Sequence, residues 1–321
     1  MTMTSIKLTV ATAALAVSGA TGALGQSFPE KPVELIVPYA PGGGSDISAR
    51  VFAGCLEGVL PEKVVVRNIT GGAGAVAEDT VAKEAPTGYK LLWQHQSLHA
   101  LSARGVTDHS PESFDVIGQV AFGPWGVFVG SHLPFDDIAG MKQYIADNPG
   151  EMKVGAALGG LSHFASLVFM GAADMDIDDT QIIGLAGSKN RVVAILQGNL
   201  DGATMDAASA KPYIEAGQMK SIAVLAEQPI EKLPDQATAK DQGVDVTYGV
   251  NIITWAPKGT PEEVLTVLRD AWETAATDPE CGAAFAEKGF QAMYRDHEAV
   301  EAYNTSEMET YRGLVEKYGV D

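Results

Sequence analysis

The amino-acid sequence predicts an α/β protein of two lobes, with mostly parallel sheets flanked by helices. Three observations carry that reading. Short apolar runs alternate with helix-like stretches along the chain, glycine-rich turns join one to the next, and 321 residues suit two cores of ordinary size better than one.

The chain begins with Lys7, an apolar run from Leu8 to Val17, and Ala23-Leu24-Gly25 as a small-x-small site. This pattern predicts an export signal over residues 1–25, cleaved so that the mature chain starts near Gln26. No later apolar run approaches the roughly 18 to 20 residues that cross a bilayer, so the mature protein is expected to act outside the cytoplasm without spanning the membrane.

The first strand, Leu35 to Pro38, runs through Tyr39-Ala-Pro-Gly-Gly-Gly-Ser-Asp46 into a helix expected from Asp46 to about Val59, capped by Ser45 or Asp46. Such a junction points unpaired amides and the positive end of a helix dipole at whatever lies above it, and glycines let a ligand approach the backbone. It is a site for an anion. It matches neither a P-loop nor the dinucleotide glycine pattern. The strand Lys63 to Asn68 then leads through Gly71-Gly-Ala-Gly74 to a helix ending near Ala85, and Tyr89 to Trp93 forms the third strand.

A second block opens near Trp125, with a strand at Gly126–Val129, a helix at Phe135–Asn148 and a strand at Met152–Ala156. The loop Ala157-Leu-Gly-Gly-Leu-Ser-His163 and its helix repeat the opening arrangement. It returns at Gln181-Ile-Ile-Gly-Leu-Ala-Gly-Ser188, before a helix from Lys189 to Gln197. Three such helix starts are better explained by one shared cleft than by chance, since ligands of open α/β sheets sit beyond the carboxyl ends of strands. Strands at Asp201–Met205, with Asp206 at its end, and Ser221–Leu225 follow. A helix capped by Thr260 with Pro261 in its first turn, and two more near Glu280–Gly289 and Glu298–Tyr318, complete the chain. The lobes are expected at 26–124 with 250–321, and at 125–249, the last helix being free to pack on the second.

Asp plus Glu number 41 against 22 Lys plus Arg, a net charge of -19. Nucleic acid is a poor partner for that field, and an anionic ligand must be held by local dipoles. Cys55 and Cys281 allow either one disulfide or two buried thiols. Metal chemistry is not expected. Asp174-Met-Asp-Ile-Asp-Asp179 lacks the glycine and glutamate of a calcium loop, and His95 and His99 have no third ligand at suitable spacing. No nucleophile elbow or zinc motif is present, so an enzyme would have to rely on Asp206 and His163 as acid and base, a weaker reading than binding alone.

Taken together, Phe28-Pro-Glu-Lys-Pro-Val33, Val37 through Asp46, Val64-Val-Val-Arg-Asn68, Ala85-Pro-Thr-Gly-Tyr89, Gly198 through Asp206 and Ala256-Pro-Lys-Gly-Thr-Pro261 with Asp278-Pro279 resemble the solute-binding proteins of tripartite tricarboxylate transporters, the Bug or TctC family. The resemblance covers nearly the whole mature chain. It implies a periplasmic-binding-protein-like fold, a monomer without cofactor, that closes on a small organic carboxylate in the periplasm and delivers it to large and small membrane permease subunits. A sensor presenting the same solute to a signalling receptor would need the same closed state.

Carried over residue by residue, the resemblance places ligand contacts at Tyr39, Ala40, Gly43, Gly44, Ser45 and Asp46 in the first loop. Leu158, Gly159, Gly160, Ser162 and His163 serve the second loop, and Asp206 faces the cleft. The helix start at Gly187 and Ser188, and Ser97 and His99 in the loop after the third strand, complete the expected set. Gly155-Ala-Ala157 and Leu185-Ala-Gly187 stand where relatives carry polar side chains, which predicts either a ligand with a less polar far end or one recognised by His95 or His99.

Overall fold

The computed structural model describes residues 28–230 and 233–320, so the expected export signal and its cleavage site lie outside the described residues. The first half of the chain forms β1 (Val33–Val37), α1 (Gly44–Cys55), β2 (Val64–Asn68), α2 (Ala75–Ala82), β3 (Lys90–Gln94), α3 (Ser97–Ala103), β4 (Phe114–Gly130), α4 (Ile138–Asp147), β5 (Met152–Ala156) and α5 (Leu161–Ala172). There follow β6 (Thr180–Gly184), α6 (Ser188–Leu196), β7 (Gly202–Asp206), α7 (Ala207–Glu215), β8 (Met219–Val224), β9 (Gly249–Pro257), α8 (Glu262–Ala276), α9 (Pro279–Glu287), β10 (Gln291–Arg295) and α10 (His297–Tyr318).

The strands pair in the order β2-β1-β3-β9-β4-β7-β5-β6, with β8 and β10 also on β4. Strands joined by helices are parallel, as expected: β1 with β2 and β3, and β5 with β6 and β7. The long-range partners are antiparallel: β9, far along the chain, lies between β3 and β4 and runs against both.

β4 joins the lobes. The sequence pattern suggests only its last few residues, since Gly118, Gly123 and Pro124 read as breaks; instead the strand continues for 17 residues, roughly 55 Å of extended chain. Close packing explains the glycine at 123. A Cβ there would come within 2.6 Å of Cγ2 of its partner Val250, and one on Gly249, the partner of Pro124, within 2.3 Å of the Gly123 carbonyl.

Side chains of β4 enter all four buried clusters. Ile117 and Val120 join Phe52, Trp93 and Trp272 on one face of the first lobe, and Phe114 and Val116 join Ile36, Leu92 and Trp255 on the other. Val127 and Val129 pack with Phe164 and Phe169 in the second lobe, and Phe128 with Met205 and Ile195. α10 also spans both, with Val300 in a first-lobe cluster and Tyr311 against Phe164 in the second. Cys55 and Cys281 form a disulfide that ties α1 to α9.

Candidate functional site

The ladder along β4 makes the carboxyl ends of two strand sets face one another. Gln94 at the end of β3 pairs with Ile253, which pairs with Gln119; Asp206 at the end of β7 pairs with Trp125. Since β3 runs with β4 and β7 against it, both ends point into the interval between Gln119 and Trp125, about 20 Å long at strand rise. Val120 to Pro124 of β4 and the start of β9 form the floor. The walls are the loops after β1 and β3 on one side and after β5, β6 and β7 on the other.

Three of the helices opening onto this interval have glycine starts. Gly43 precedes α1, Gly160 precedes α5 and Gly187 precedes α6, and no side chain caps any of the three. The expectation that Ser45 or Asp46 caps α1 is therefore corrected. Helices α4, α9 and α10 are closed instead by Asp137, Asp278 and Asp296. An uncapped first turn keeps its amide donors available for an external anion. Similarly Thr260 does not cap α8; Pro261 takes that position and the Thr260 hydroxyl donates to the Pro257 carbonyl.

In the first wall Asp46 holds the loop rather than presenting its carboxylate. It is 3% exposed and accepts from the Gly42 amide at 2.8 Å, from Arg50 Nη2 at 2.8 Å and from Asn68 Nδ2 at 3.0 Å. The Arg50 hydrogen bond holds the Asp46 carboxyl below the usual range. Asn68 Nδ2 also donates to the Tyr39 carbonyl. The Asp46 backbone amide lies in the first turn of α1 beside those of Gly44 and Ser45, whereas the Gly43 amide is turned back onto the Ala40 carbonyl at 3.3 Å.

Behind this loop the Tyr39 ring stacks on His95 at 5.0 Å, and its hydroxyl donates to Gln94 Oε1. Gln94 Nε2 donates in turn to Glu78, a fully buried carboxyl on α2 that burial pushes up to about 7. Burial pushes His95 down to about 3, so the ring is a neutral stacking surface; its Nδ1 accepts from the Ser97 amide. Gln96 pins the floor, its Nε2 donating to the Gly249 carbonyl and its Oε1 accepting from the Asn251 amide.

His99 is not in the cleft. It is 0% exposed, with Nε2 at 2.9 Å from Asn304 Oδ1 of α10 and its ring against Tyr303 and Tyr311. Burial pushes it down to about 4. The histidine serves the packing of α3 on α10, a role no local pattern announces.

In the second wall the loop after β5 bonds to itself. The Ser162 hydroxyl accepts from the Ala157 amide at 2.8 Å, and His163 Nδ1 accepts from the Gly159 amide at 3.2 Å. Burial, and then the charge of Arg104, lower the His163 pKa. Arg104, at the end of α3, donates to the Gly159 carbonyl at 3.0 Å and lies where a Cβ on Gly159 would stand. Leu158 is 60% exposed beside Gly184. The Asp206 carboxylate caps α7, accepting from the Ser209 amide and hydroxyl.

The sequence reading passed over Glu78, Gln94, Gln96, Arg104 and Arg191. Gln94 and Gln96 stand in the loop already singled out, and an amide pair there was the available signal. The other three lie on helices at positions that only packing reveals.

A two-lobed α/β chain with opposed glycine-led helix starts at its central crossing strand defines the class of periplasmic binding proteins. The profile described as "tripartite tricarboxylate transporter family receptor" matches residues 48–320, and the chain belongs to that family. Among solved structures it is similar to a TctC solute-binding protein from Polaromonas, at 28% identity and a TM-score of 0.78, covering 91% of this chain and 100% of that one. The periplasmic binding protein BugD is similar at 26% identity and a TM-score of 0.73, over 92% and 99% of the two chains. A Rhodopseudomonas palustris protein solved with adipate shares the fold, at 22% identity and a TM-score of 0.76, over 91% and 99%. Members of the family are solute-binding proteins rather than enzymes, and among the described residues no helix is long and apolar enough to cross a membrane.

Proposed function

We propose that this protein is a periplasmic receptor that captures a small organic carboxylate between its lobes and delivers it to the large and small permease subunits of a tripartite tricarboxylate-type transporter. One observation carries the reading. Glycine-led, uncapped helix starts stand on opposite walls of one cleft, in a protein whose net charge of -19 otherwise repels anions. The adipate held by the Rhodopseudomonas palustris protein of the same fold agrees with it.

The receptor works by closure: α1 and α5 each bring amide donors, and a carboxylate bound to both favours the closed arrangement by its differential affinity. The protein acts as a monomer, a reading supported by both walls of the proposed cleft coming from one chain. Tyr39, Ala40, Gly44, Ser45 and Ser97 form the first wall and Leu158, Gly159, Gly160, Ser162, His163, Gly187 and Ser188 the second, with Asp206 fixing the start of α7 beside them.

A thermal-shift screen of mono-, di- and tricarboxylates tests this. A ligand at a hundredfold excess over Kd stabilises the folded state by about 2.7 kcal/mol. At least one organic acid is expected to raise Tm by several degrees while neutral analogues of the same size do not. A screen in which no carboxylate shifts the transition, or in which neutral analogues do equally well, overturns the reading.

A further inference from the structure

Glu78 lies on α2 and is 0% exposed, and among the described residues no cation is paired with it. Its Oε1 accepts from Gln94 Nε2 at 3.0 Å, while Oε2 has no partner. Gly74 leaves room for this pair: its φ is +129°, and a Cβ there would come within 2.6 Å of Gln94 Nε2 and 3.3 Å of Glu78 Oε1. A carboxylate so placed lacks both water and a counter-charge, whereas the protonated group needs neither.

The elements packed against α2 supply no charge to balance it. The loop after β1 brings Tyr39, the end of β3 brings His95, and α3 brings His99, all neutral at pH 7 because burial raises the tyrosine and lowers both histidines. From β9 come Ile253 and Trp255, and Glu34 and Lys90 lie at the far ends of β1 and β3. On α2 itself Asp79 is engaged by Lys83 and His109.

The carboxyl is also wired to the first wall of the cleft. Gln94 Oε1 accepts from the Tyr39 hydroxyl and from the His95 amide, each at 3.0 Å, so Glu78 stands behind the loop that carries the α1 amides. Its field reaches that loop: burial raises the Tyr39 pKa, and a charge on Glu78 raises it further. A ligand carboxylate on the α1 amides brings a second negative charge to the same loop. Its arrival therefore favours the neutral form of Glu78.

From this geometry we propose that Glu78 couples capture to a proton: an anion bound at the start of α1 is taken up together with a proton from the medium, which settles on Glu78 Oε2. The inference rests on the carboxylate reading and adds to it a dependence on pH. Affinity is highest where Glu78 is already protonated and falls as pH rises through about 7, the region to which burial pushes this carboxyl. Glu78 acts through Gln94, Tyr39 and its field, as a positioning residue.

The experiment is titration calorimetry with adipate, glutarate and succinate from about pH 6.5 to about 9, where these acids are ionised, in two buffers of unequal ionisation enthalpy. The wild-type protein is expected to take up a fraction of a proton per ligand near neutrality. Its Kd should rise about threefold to tenfold across the range, as for a unit charge felt at an effective dielectric of about 20. Glu78→Gln should abolish both the uptake and the rise. His163 in the second wall stays neutral, since burial and then Arg104 lower its pKa, but burial also pushes Glu307 on α10 up to about 7, so Glu307→Gln is the control and should keep both effects. A wild-type protein that takes up no proton overturns the inference, as does uptake that persists in Glu78→Gln or vanishes in Glu307→Gln. Infrared difference spectra of the wild type near pH 7.5 read the same event without a variant: the protonated-carboxyl stretch should grow when ligand is added, and an unchanged band overturns the proposal. If none of the three acids binds, the carboxylate reading falls and the proton link with it.

Discussion

A carboxylate within the loop holds the loop after β1, whereas the loop after β5 is held by its own neutral side chains and by an arginine from α3. In the first, Asp46 gathers the Gly42 amide, Arg50 and Asn68, while Tyr39, Gln94 and the buried Glu78 form a polar chain behind. In the second, a serine hydroxyl and an imidazole nitrogen bond to the loop's own amides, and the arginine that reaches it comes from α3. The disulfide sharpens the contrast, since it joins α1 and α9 of the first lobe and no cysteine is present in the second. Both loops leave helix amides open, so an anion site does not dictate how its loop is braced. The brace decides how each wall responds to pH, reduction and substitution.

The largest expected effect comes from removing the covalent tie. Its closed loop spans 226 residues, and replacing Cys55 and Cys281 by serine should cost about 3 to 5 kcal/mol. Urea unfolding followed by tryptophan emission measures it, because Trp93 and Trp272 lie in the first-lobe core. A midpoint that does not move means the disulfide adds nothing to the charge brace.

Next is the pH response. Glu78 titrates near 7 in the folded protein against 4.5 unperturbed, so the folded state binds the proton more tightly. Its contribution favours folding fully below about pH 4.5 and is lost as pH rises through about 7, on the order of 3 kcal/mol across the window. Glu78→Gln should flatten that slope and leave the protein more stable than wild type above neutrality. Parallel slopes for the two proteins would remove Glu78 from the account.

Asp46→Ala leaves the Gly42 amide without its acceptor, removes one of the two hydrogen bonds of Asn68 Nδ2 and should destabilise the protein by about 2 kcal/mol. It should also weaken ligand binding, since the loop carrying the α1 amides loosens. Calorimetric affinity that survives in the folded variant would show that the brace and the site are independent.

The finest comparison sets alanine at Gly159 against alanine at Gly44. Gly159 has φ +66°, and a Cβ there would meet Arg104 Cζ at 2.3 Å, so Gly159→Ala should cost about 1 to 2 kcal/mol. Gly44 has no such backbone conformation and its Cβ would rest on Phe290 at 3.6 Å, so Gly44→Ala should stay within about 0.5 kcal/mol. Equal costs at the two positions would erase the distinction between the loops.

Much of the architecture was legible because it is written locally. A glycine turn between an apolar run and a helical pattern announces itself within about ten residues, and β1 with α1, β5 with α5 and β6 with α6 were all readable that way. The candidate loops 39–46 and 157–163 followed from the same signal. The crossing strand was not legible, because Gly123 and Pro124 look like a break unless Val250 and Gly249 are known to lie against them.

The division falls between short-range and long-range physics. By itself the sequence determined the order of strand, turn and helix, the glycine-rich turns before three helices and the acidic field, since each depends on neighbouring residues or on composition alone. Only the tertiary structure decided that Asp46 is a brace, that His99 packs against α10, that Cys55 meets Cys281 and that Arg191 is buried against the Leu185 carbonyl. The role of a charged or polar side chain is set by the groups that replace its water, and in this fold those groups come from elements as much as 226 residues away.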